Sequence, residues 1–137
     1  GGHKSLRRAL YLLDGLTVPH SRIHLILGNH DGFHIRNTNA YDFASVCIGS
    51  ISDNLFLTLT NGMPAIISHT PRKALLKYAP DVPDGIVHLY GHTHGKSPDE
   101  FHDGMSVNIG LDAWRLRPVS ERQIIETLTQ MQATDCA

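Results

Sequence analysis

Histidine is the residue type in this sequence with the clearest potential for chemistry, because the chain has 10 of them in 137 residues. Four of these histidines stand in three short polar clusters, each directly after an apolar run. The clusters are Gly28-Asn29-His30-Asp31, Ser68-His69-Thr70 and Gly91-His92-Thr93-His94-Gly95. Neutral imidazole is a good ligand for Zn, Mn, Fe or Ni, while amide and carboxylate oxygens favour harder ions. The three clusters are therefore candidate metal-ligating and catalytic groups.

The apolar runs before the clusters predict the strands that must position them. Strands are predicted at residues 23–27, 54–60, 64–68, 86–90 and 105–109. The first and fourth read as buried strands stopped by glycine, and Asn61-Gly62 predicts a hairpin turn between the second and third. Ligands of α/β sheets bind beyond the carboxyl ends of the strands. We therefore expect the three clusters to share one edge of a sheet.

Three helices are predicted around these strands. Residues 5–14 repeat apolar positions at helical spacing and end at Gly15, and a short helix is predicted from Pro71 to residue 78. Ser120 and Gln123 form a capping box that predicts the start of the last helix. Residues 32–53 show no regular pattern. The mixture of strands and helices predicts a single α/β domain over residues 1–137.

Each polar cluster also has a simpler interpretation when it is taken alone. A lone histidine at a strand end is more often a surface or packing residue than a ligand, and Gly-Asn sequences favour ordinary turns. Three such clusters in one small chain, all after apolar strands, favour a shared metal site instead. The other six histidines, His88 among them, fit no pattern.

Composition excludes several classes of protein. The formal net charge is −1 and the basic residues are scattered, so no patch predicts binding to nucleic acid or to an anionic membrane. No apolar run is long enough to cross a bilayer. Cys47 and Cys136 lie far apart in the sequence, which argues against a disulfide framework and favours a reduced, cytoplasmic protein.

Taken in order, the clusters resemble the calcineurin-like metallophosphoesterase family. The signature of that family runs Asp-x-His, Gly-Asp, Gly-Asn-His-Asp/Glu, a lone His after a strand, and Gly-His-x-His. The last three elements are present here at residues 28–31, His69 and residues 91–94, and the stretch 106–120 is similar to the end of small bacterial or phage-type members. The resemblance covers about residues 5–128, and it implies a sandwich of two mixed β-sheets flanked by helices.

The resemblance also implies a role for each residue of the three clusters. The implied metal ligands are Asn29, His69 and His92 for one ion and His94 for the other. His30 would be the catalytic histidine near the phosphate, and Asp31 would orient it by hydrogen bonding. Two divalent ions (Mn, Fe, Zn or Ni) would clamp a small phosphomonoester or phosphodiester and activate water for attack on phosphorus.

The beginning of the sequence departs from the family pattern. Neither Asp-x-His nor Gly-Asp precedes Gly28, and Asp14 falls inside the predicted helix 5–14. Because Gly1-Gly2-His3 stands directly before that helix, we expect the chain to start just after the missing motif and to lack the first strands. One metal ion should then be held poorly. The exposed sheet edge could be covered by a second copy of the chain in a homo-oligomer.

Two alternatives remain open at this point. The chain can be a non-catalytic metal-binding or interaction domain that retains the histidines of the fold. A structural zinc module is disfavoured, because such sites use four closed Cys or His ligands at short spacing and no Cys lies near these histidines.

Overall fold

The computed structural model describes residues 8–9, 11–31 and 48–135. The chain divides into two compact units, Gly1–Asp53 and Asn54–Ala137, and each contains its own β-sheet. The protein is therefore mixed α/β with two sheets, which confirms the predicted fold class at that level. The extent of the domain, residues 1–137, stays a prediction. Within the described ranges, no helix has the length and apolar character needed to cross a bilayer.

The first unit contains a helical segment and a two-stranded parallel sheet. Residues 8–9 and 11–14 are helical, which agrees with the predicted helix; residues 5–7 lie outside the described part. A 3-10 turn, His20–Arg22, leads into strand β1, His24–Ile26, which pairs in parallel with β2, Ser50–Ser52.

The prediction that the first strand is buried is wrong. His24 is exposed, and the other two residues of β1 are only half-buried. The physical reason is that β2 is the one strand beside β1 in the described residues, so the sheet is narrow. The core there consists of Ile48, with half-buried apolar side chains around it. Strand β2 falls in the stretch for which the sequence predicted nothing, and residues 32–47 lie outside the described part.

The second unit is built on a four-stranded sheet whose strands lie where the sequence predicts them. Its strands are β3 (Asn54–Thr58), β4 (Pro64–Ser68), β5 (Val87–Tyr90) and β6 (Ser106–Asn108), in that spatial order. Strand β3 is antiparallel to β4, whereas β4, β5 and β6 are parallel to one another. The predicted hairpin turn is confirmed: Gly62 has φ +86°, and its amide donates to the carbonyl of Leu59 at 2.8 Å.

Two helices accompany this sheet. Helix α1 spans Arg72–Tyr78 and follows Pro71, as predicted. Helix α2 spans Glu121–Asp135, and its capping box is formed: the Gln123 amide donates to Ser120 Oγ at 3.2 Å, and the Ser120 amide donates to Gln123 Oε1 at 2.9 Å. A short 3-10 helix, Leu111–Trp114, was not predicted.

The core of the second unit lies on both faces of its sheet. All four residues of β5 are buried, which confirms the predicted buried strand. On one face, sheet residues pack against the apolar side of α2; this cluster contains Ala65, Val87, Leu89, Val107, Ile124, Leu128 and Met131. On the other face, Ile66 packs with Leu75 of α1 and with Val82 and Ile86. Packing from both sides holds the parallel strands, and hence their carboxyl ends, in fixed positions.

Candidate metal centre

The carboxyl ends of β4 and β5 bring two of the predicted ligands to the same edge of the sheet. His69 follows the last residue of β4, and Gly91-His92 follows the last residue of β5. The Gly91 amide donates to the His69 carbonyl at 3.1 Å, so the parallel pairing continues one residue beyond the strands. Main-chain pairing alone therefore places the two histidines side by side.

The imidazole rings of His69 and His92 are in direct contact. His69 Nε2 and His92 Nδ1 are 3.0 Å apart, and the ring centroids are 4.9 Å apart with planes inclined at 73°. In the absence of an ion, this distance is that of a hydrogen bond. Two nitrogens that bind one ion at about 2.0–2.1 Å lie about 3.0 Å apart when their bonds meet at a right angle. The spacing of the pair therefore fits ligation of a common divalent ion.

His94, the third histidine of this unit predicted to bind metal, is paired with an acidic residue that the sequence analysis did not identify. Its Nδ1 lies 2.8 Å from Oδ2 of Asp112, on the 3-10 helix. A histidine that binds metal through one nitrogen usually donates the proton on the other to a carboxylate or carbonyl. The Asp112 carboxylate favours a proton on Nδ1, which leaves Nε2 of His94 as the nitrogen that can accept a metal ion.

The loop that carries His92 and His94 has an unusual backbone. Both histidines lie in the left-handed region, with φ of +69° and +53°. This region is sparsely populated by residues other than glycine, although His, Asn and Asp tolerate it better than most. Gly95 allows the backbone of this loop to lie close to the Glu100 side chain, because a Cβ atom at residue 95 would lie 2.7 Å from the carboxyl carbon of Glu100.

The Glu100 carboxylate accepts hydrogen bonds from this loop and from β5. Its Oε2 accepts hydrogen bonds from the Tyr90 hydroxyl at 2.9 Å and from Thr93 Oγ1 at 2.8 Å. Thr93 Oγ1 in turn accepts from Asn108 Nδ2 at 3.2 Å and from the Gly95 amide at 3.3 Å. Burial and the hydrogen bond to Glu100 raise the pKa of the Tyr90 hydroxyl, which therefore remains a donor at neutral pH. Thr93, between the two histidines, fastens their loop to the sheet.

Asn108, the last residue of β6, connects this network to the helix that carries Asp112. Its Oδ1 accepts from the Gly110 amide at 2.9 Å, and its main-chain carbonyl accepts from Trp114 Nε1 at 2.7 Å. The side chain is almost fully buried, with 1% of its surface exposed. These bonds hold the short 3-10 helix beside the end of the sheet, and this fixes the backbone of Asp112.

His88 is buried within β5, two residues before the last residue of that strand, and has a structural role. Ser68 Oγ donates its proton to the Thr70 carbonyl at 2.7 Å, so its contact with His88 Nε2 at 2.6 Å must be a bond donated by the imidazole. Nδ1 of His88 is buried without a hydrogen-bond partner. Burial, reinforced by the positive charge of Arg72 and opposed by Asp103, lowers the pKa of His88 to about 4. The ring is therefore neutral at pH 7.

The cluster Gly28–Asp31 belongs to the first unit and forms a tight turn after β1. The Gly28 amide donates to Asp31 Oδ2 at 2.9 Å, and the Asp31 amide donates to the Gly28 carbonyl at 3.2 Å. Asn29 and His30 are exposed, and Asp31 is half-buried. The expected hydrogen bond between Asp31 and His30, and the meeting of this cluster with the histidines of the second unit, stay predictions.

Among the residues that the structure describes, no three His, Cys, Asp or Glu side chains are arranged to hold one metal ion. The pair His69–His92 and the pair His94–Asp112 are the contacts on which a metal centre can be argued. The complete ligand set given by the resemblance therefore stays a prediction.

Comparison of the chain with protein-family models, with curated proteins and with solved structures found no match.

Proposed function

We propose that this protein is a metal-dependent phosphoester hydrolase with the two-sheet sandwich of the calcineurin-like metallophosphoesterases. The observation that carries the proposal is the contact between His69 and His92, with 3.0 Å between their nitrogens. These residues belong to two motifs separated by 23 positions, and both motifs stand in the order that the family signature requires. A chance pair of turn residues would not be expected at the ends of adjacent parallel strands and also at ligand spacing.

The residues have distinct tasks in this proposal. His69 and His92 would hold one divalent ion, to which the family resemblance adds Asn29, and His94 would bind the second through Nε2 while Asp112 retains the proton on Nδ1. Divalent ions at such a site supply Lewis-acid activation of water and neutralise the charge on the phosphate.

The family resemblance assigns the proton transfer to His30. His30 lies on the exposed turn after β1, and it would protonate the oxygen of the departing alcohol. Asp31, whose Oδ2 is anchored by the Gly28 amide, would hold the His30 ring in one orientation. The substrate is a small phosphomonoester or phosphodiester.

Hydrolysis of bis(p-nitrophenyl) phosphate with added Mn²⁺ tests the proposal. We expect activity in the unaltered chain and a loss of about 10²-fold or more in His30→Ala, because general acid catalysis contributes at least that much. His92→Ala should lose both activity and Mn²⁺ binding measured by titration calorimetry. His102→Ala is the matched control, because this exposed histidine contacts Asp99 and lies outside the proposed site. Equal rates in His30→Ala and the unaltered chain would refute the catalytic assignment.

A non-catalytic metal-binding or interaction domain is the second candidate. It is favoured by the contact between His69 and His92, because these two imidazoles could hold an ion without any catalytic group. Binding of Mn²⁺ or Zn²⁺ that depends on His92, with no hydrolysis of the chromogenic ester, would support this candidate over the hydrolase.

A further inference from the structure

The second unit contains a half-open cavity of about 380 Å³ between the start of α1 and the loop before β6. Its walls are mainly apolar and are contributed by Pro71, Leu76 and Phe101. An apolar cavity of about 150 Å³ is large enough to hold benzene. This cavity therefore has room for a single or a fused aromatic ring.

One wall of the cavity follows His69 in the sequence, and the other contacts the strand that leads to His92. Pro71 stands two residues after His69 in the sequence. On the other side, the ring of Phe101 packs against the ring of Tyr90, with centroids 5.2 Å apart, and Tyr90 stands two residues before His92. The cavity is therefore linked to both segments that carry the candidate metal ligands, directly through Pro71 and indirectly through the contact between Phe101 and Tyr90.

Phe101 is the residue best suited to bind a ring. One side of it contacts Tyr90, and 46% of its surface is exposed. Aromatic rings favour offset or inclined stacking at centroid distances of about 4.5–7 Å. A ligand ring stacked on the open side of Phe101 would extend the contact that Tyr90 already makes.

The charges around the cavity assign a direction to a bound phosphoester. Arg72 and Lys73 lie on the side of Pro71, and the Arg72 guanidinium is held in place by Asp84 Oδ1 at 3.1 Å. Asp103 lines the cavity from the loop before β6. Desolvation alone would raise the pKa of Asp103, but hydrogen bonds from Ser106 and from main-chain amides lower it overall, so this carboxyl is ionised at neutral pH. A phosphate is repelled from the Asp103 side and attracted to the basic side.

We propose that this cavity binds the aromatic leaving group of an aryl phosphoester, stacked on Phe101, with the phosphate towards Arg72 and Lys73. The inference rests on the proposed hydrolase function and narrows its substrate class. In the reaction, water loses a proton to the solvent and its oxygen bonds to phosphorus, while the bond between phosphorus and the aryl oxygen breaks and the phenol leaves with a proton from His30. The cavity binds the ring and contributes no group to these steps.

Binding of non-hydrolysable probes tests the inference without requiring activity. Phenylphosphonate and methylphosphonate carry the same charged group and differ in the ring. In the unaltered chain we expect phenylphosphonate to bind about tenfold more tightly, since the ring is buried and stacked. Amide NMR signals of residues 72–76 and 101–106 should shift with phenylphosphonate.

Variants of Phe101 complete the test. Phe101→Ala should abolish the preference for phenylphosphonate, and Phe101→Leu, which keeps apolar volume, should retain only part of it. Tyr78→Ala is the matched control, because this aromatic residue is 85% exposed and lies outside the cavity. Equal binding of the two phosphonates, no binding at millimolar concentration, or equal effects of the Phe101 and Tyr78 variants would overturn the inference.

The outcomes separate this inference from the proposed function. A preference for the ring that depends on Phe101, in a protein that hydrolyses no ester, would refute the hydrolase assignment and leave the aromatic cavity standing. Hydrolysis at equal rates for aryl and alkyl esters, without a preference for phenylphosphonate, would refute the cavity and leave the hydrolase.

Discussion

The buried histidine His88 leads to a quantitative prediction about stability against acid. Its side chain is fully buried, it donates one hydrogen bond to Ser68 Oγ, and its Nδ1 has no partner. Protonation would place a positive charge on that unpartnered nitrogen, away from water and under the influence of Arg72. The folded protein therefore resists protonation of His88, whereas the unfolded chain does not.

The size of the effect follows from the two pKa values. The ordinary value is 6.5, and the folded value is about 4. Between these values the unfolded chain binds more protons, so the free energy of unfolding falls as the pH falls. At about 1.4 kcal/mol for each pH unit, His88 should lower the free energy of unfolding by about 3 kcal/mol when the pH falls below both values. About 2 kcal/mol of this should be lost by pH ~5. Above pH 6.5, His88 should contribute no pH dependence.

Urea unfolding followed by the fluorescence of Trp114, the one tryptophan of the chain, measures this effect in the unit that contains His88. The comparison is with His88→Gln, whose amide can still donate to Ser68 but cannot be protonated in this range. The variant should be less stable at neutral pH, and the difference should shrink as the pH falls. His102→Gln, at an exposed position, should follow the unaltered protein. A constant difference between the unaltered protein and His88→Gln from neutral pH to about pH 5 would refute the reasoning.

Three further predictions concern the loop, the carboxylate and the helix cap described above. Gly95→Ala should destabilise the protein by about 1–3 kcal/mol, because its methyl group would collide with the Glu100 carboxyl; an unchanged thermal midpoint would contradict this. Asp112→Asn should weaken binding of Zn²⁺ about 10–100-fold in titration calorimetry, since His94 loses its orienting carboxylate, and unaltered affinity would argue against that role. Ser120→Ala should lower the free energy of unfolding by about 1 kcal/mol in urea, through loss of the N-cap hydrogen bond of α2.

Much of the second unit could be predicted from the sequence because its signals are local. The hairpin follows from Asn61-Gly62 between two apolar runs, since glycine adopts the positive φ that the turn requires. The fourth strand follows from residues 86–90, an apolar run stopped by Gly91, and α2 follows from its capping box. Each of these elements is determined by neighbours within a few positions.

The first unit was harder to predict because its strands depend on tertiary context. Strand β2 is three residues long, and only its middle residue, Ile51, is apolar, so no alternation can reveal it. Strand β1 has the composition of a buried strand, but burial is decided by the elements that cover it rather than by its own residues. Periodicity indicates which face of an element is apolar and cannot indicate how completely that face is covered.

In the candidate site too, some contacts were predictable from local sequence and others depend on tertiary context. The approach of His69 and His92 was predictable, because the carboxyl ends of adjacent parallel strands meet at one edge. The contribution of Asp112 was not, since it pairs with a histidine 18 positions away and stands on a short helix without a local signal. Glu100 was missed for the same reason, because its partners come from several strands and loops.

The hydrogen bond from the Gly91 amide to the His69 carbonyl has a consequence for how the pair His69–His92 would bind an ion. The two segments that present imidazole cannot drift apart unless this bond breaks, so the gap between them is already set when the sheet has formed. Little additional ordering of the backbone is then needed when an ion is captured, and this favours binding of the ion. Rotation of the two rings, with the bridging proton moved to the other nitrogen of its ring, would turn the hydrogen-bonded pair into a pair of ligands.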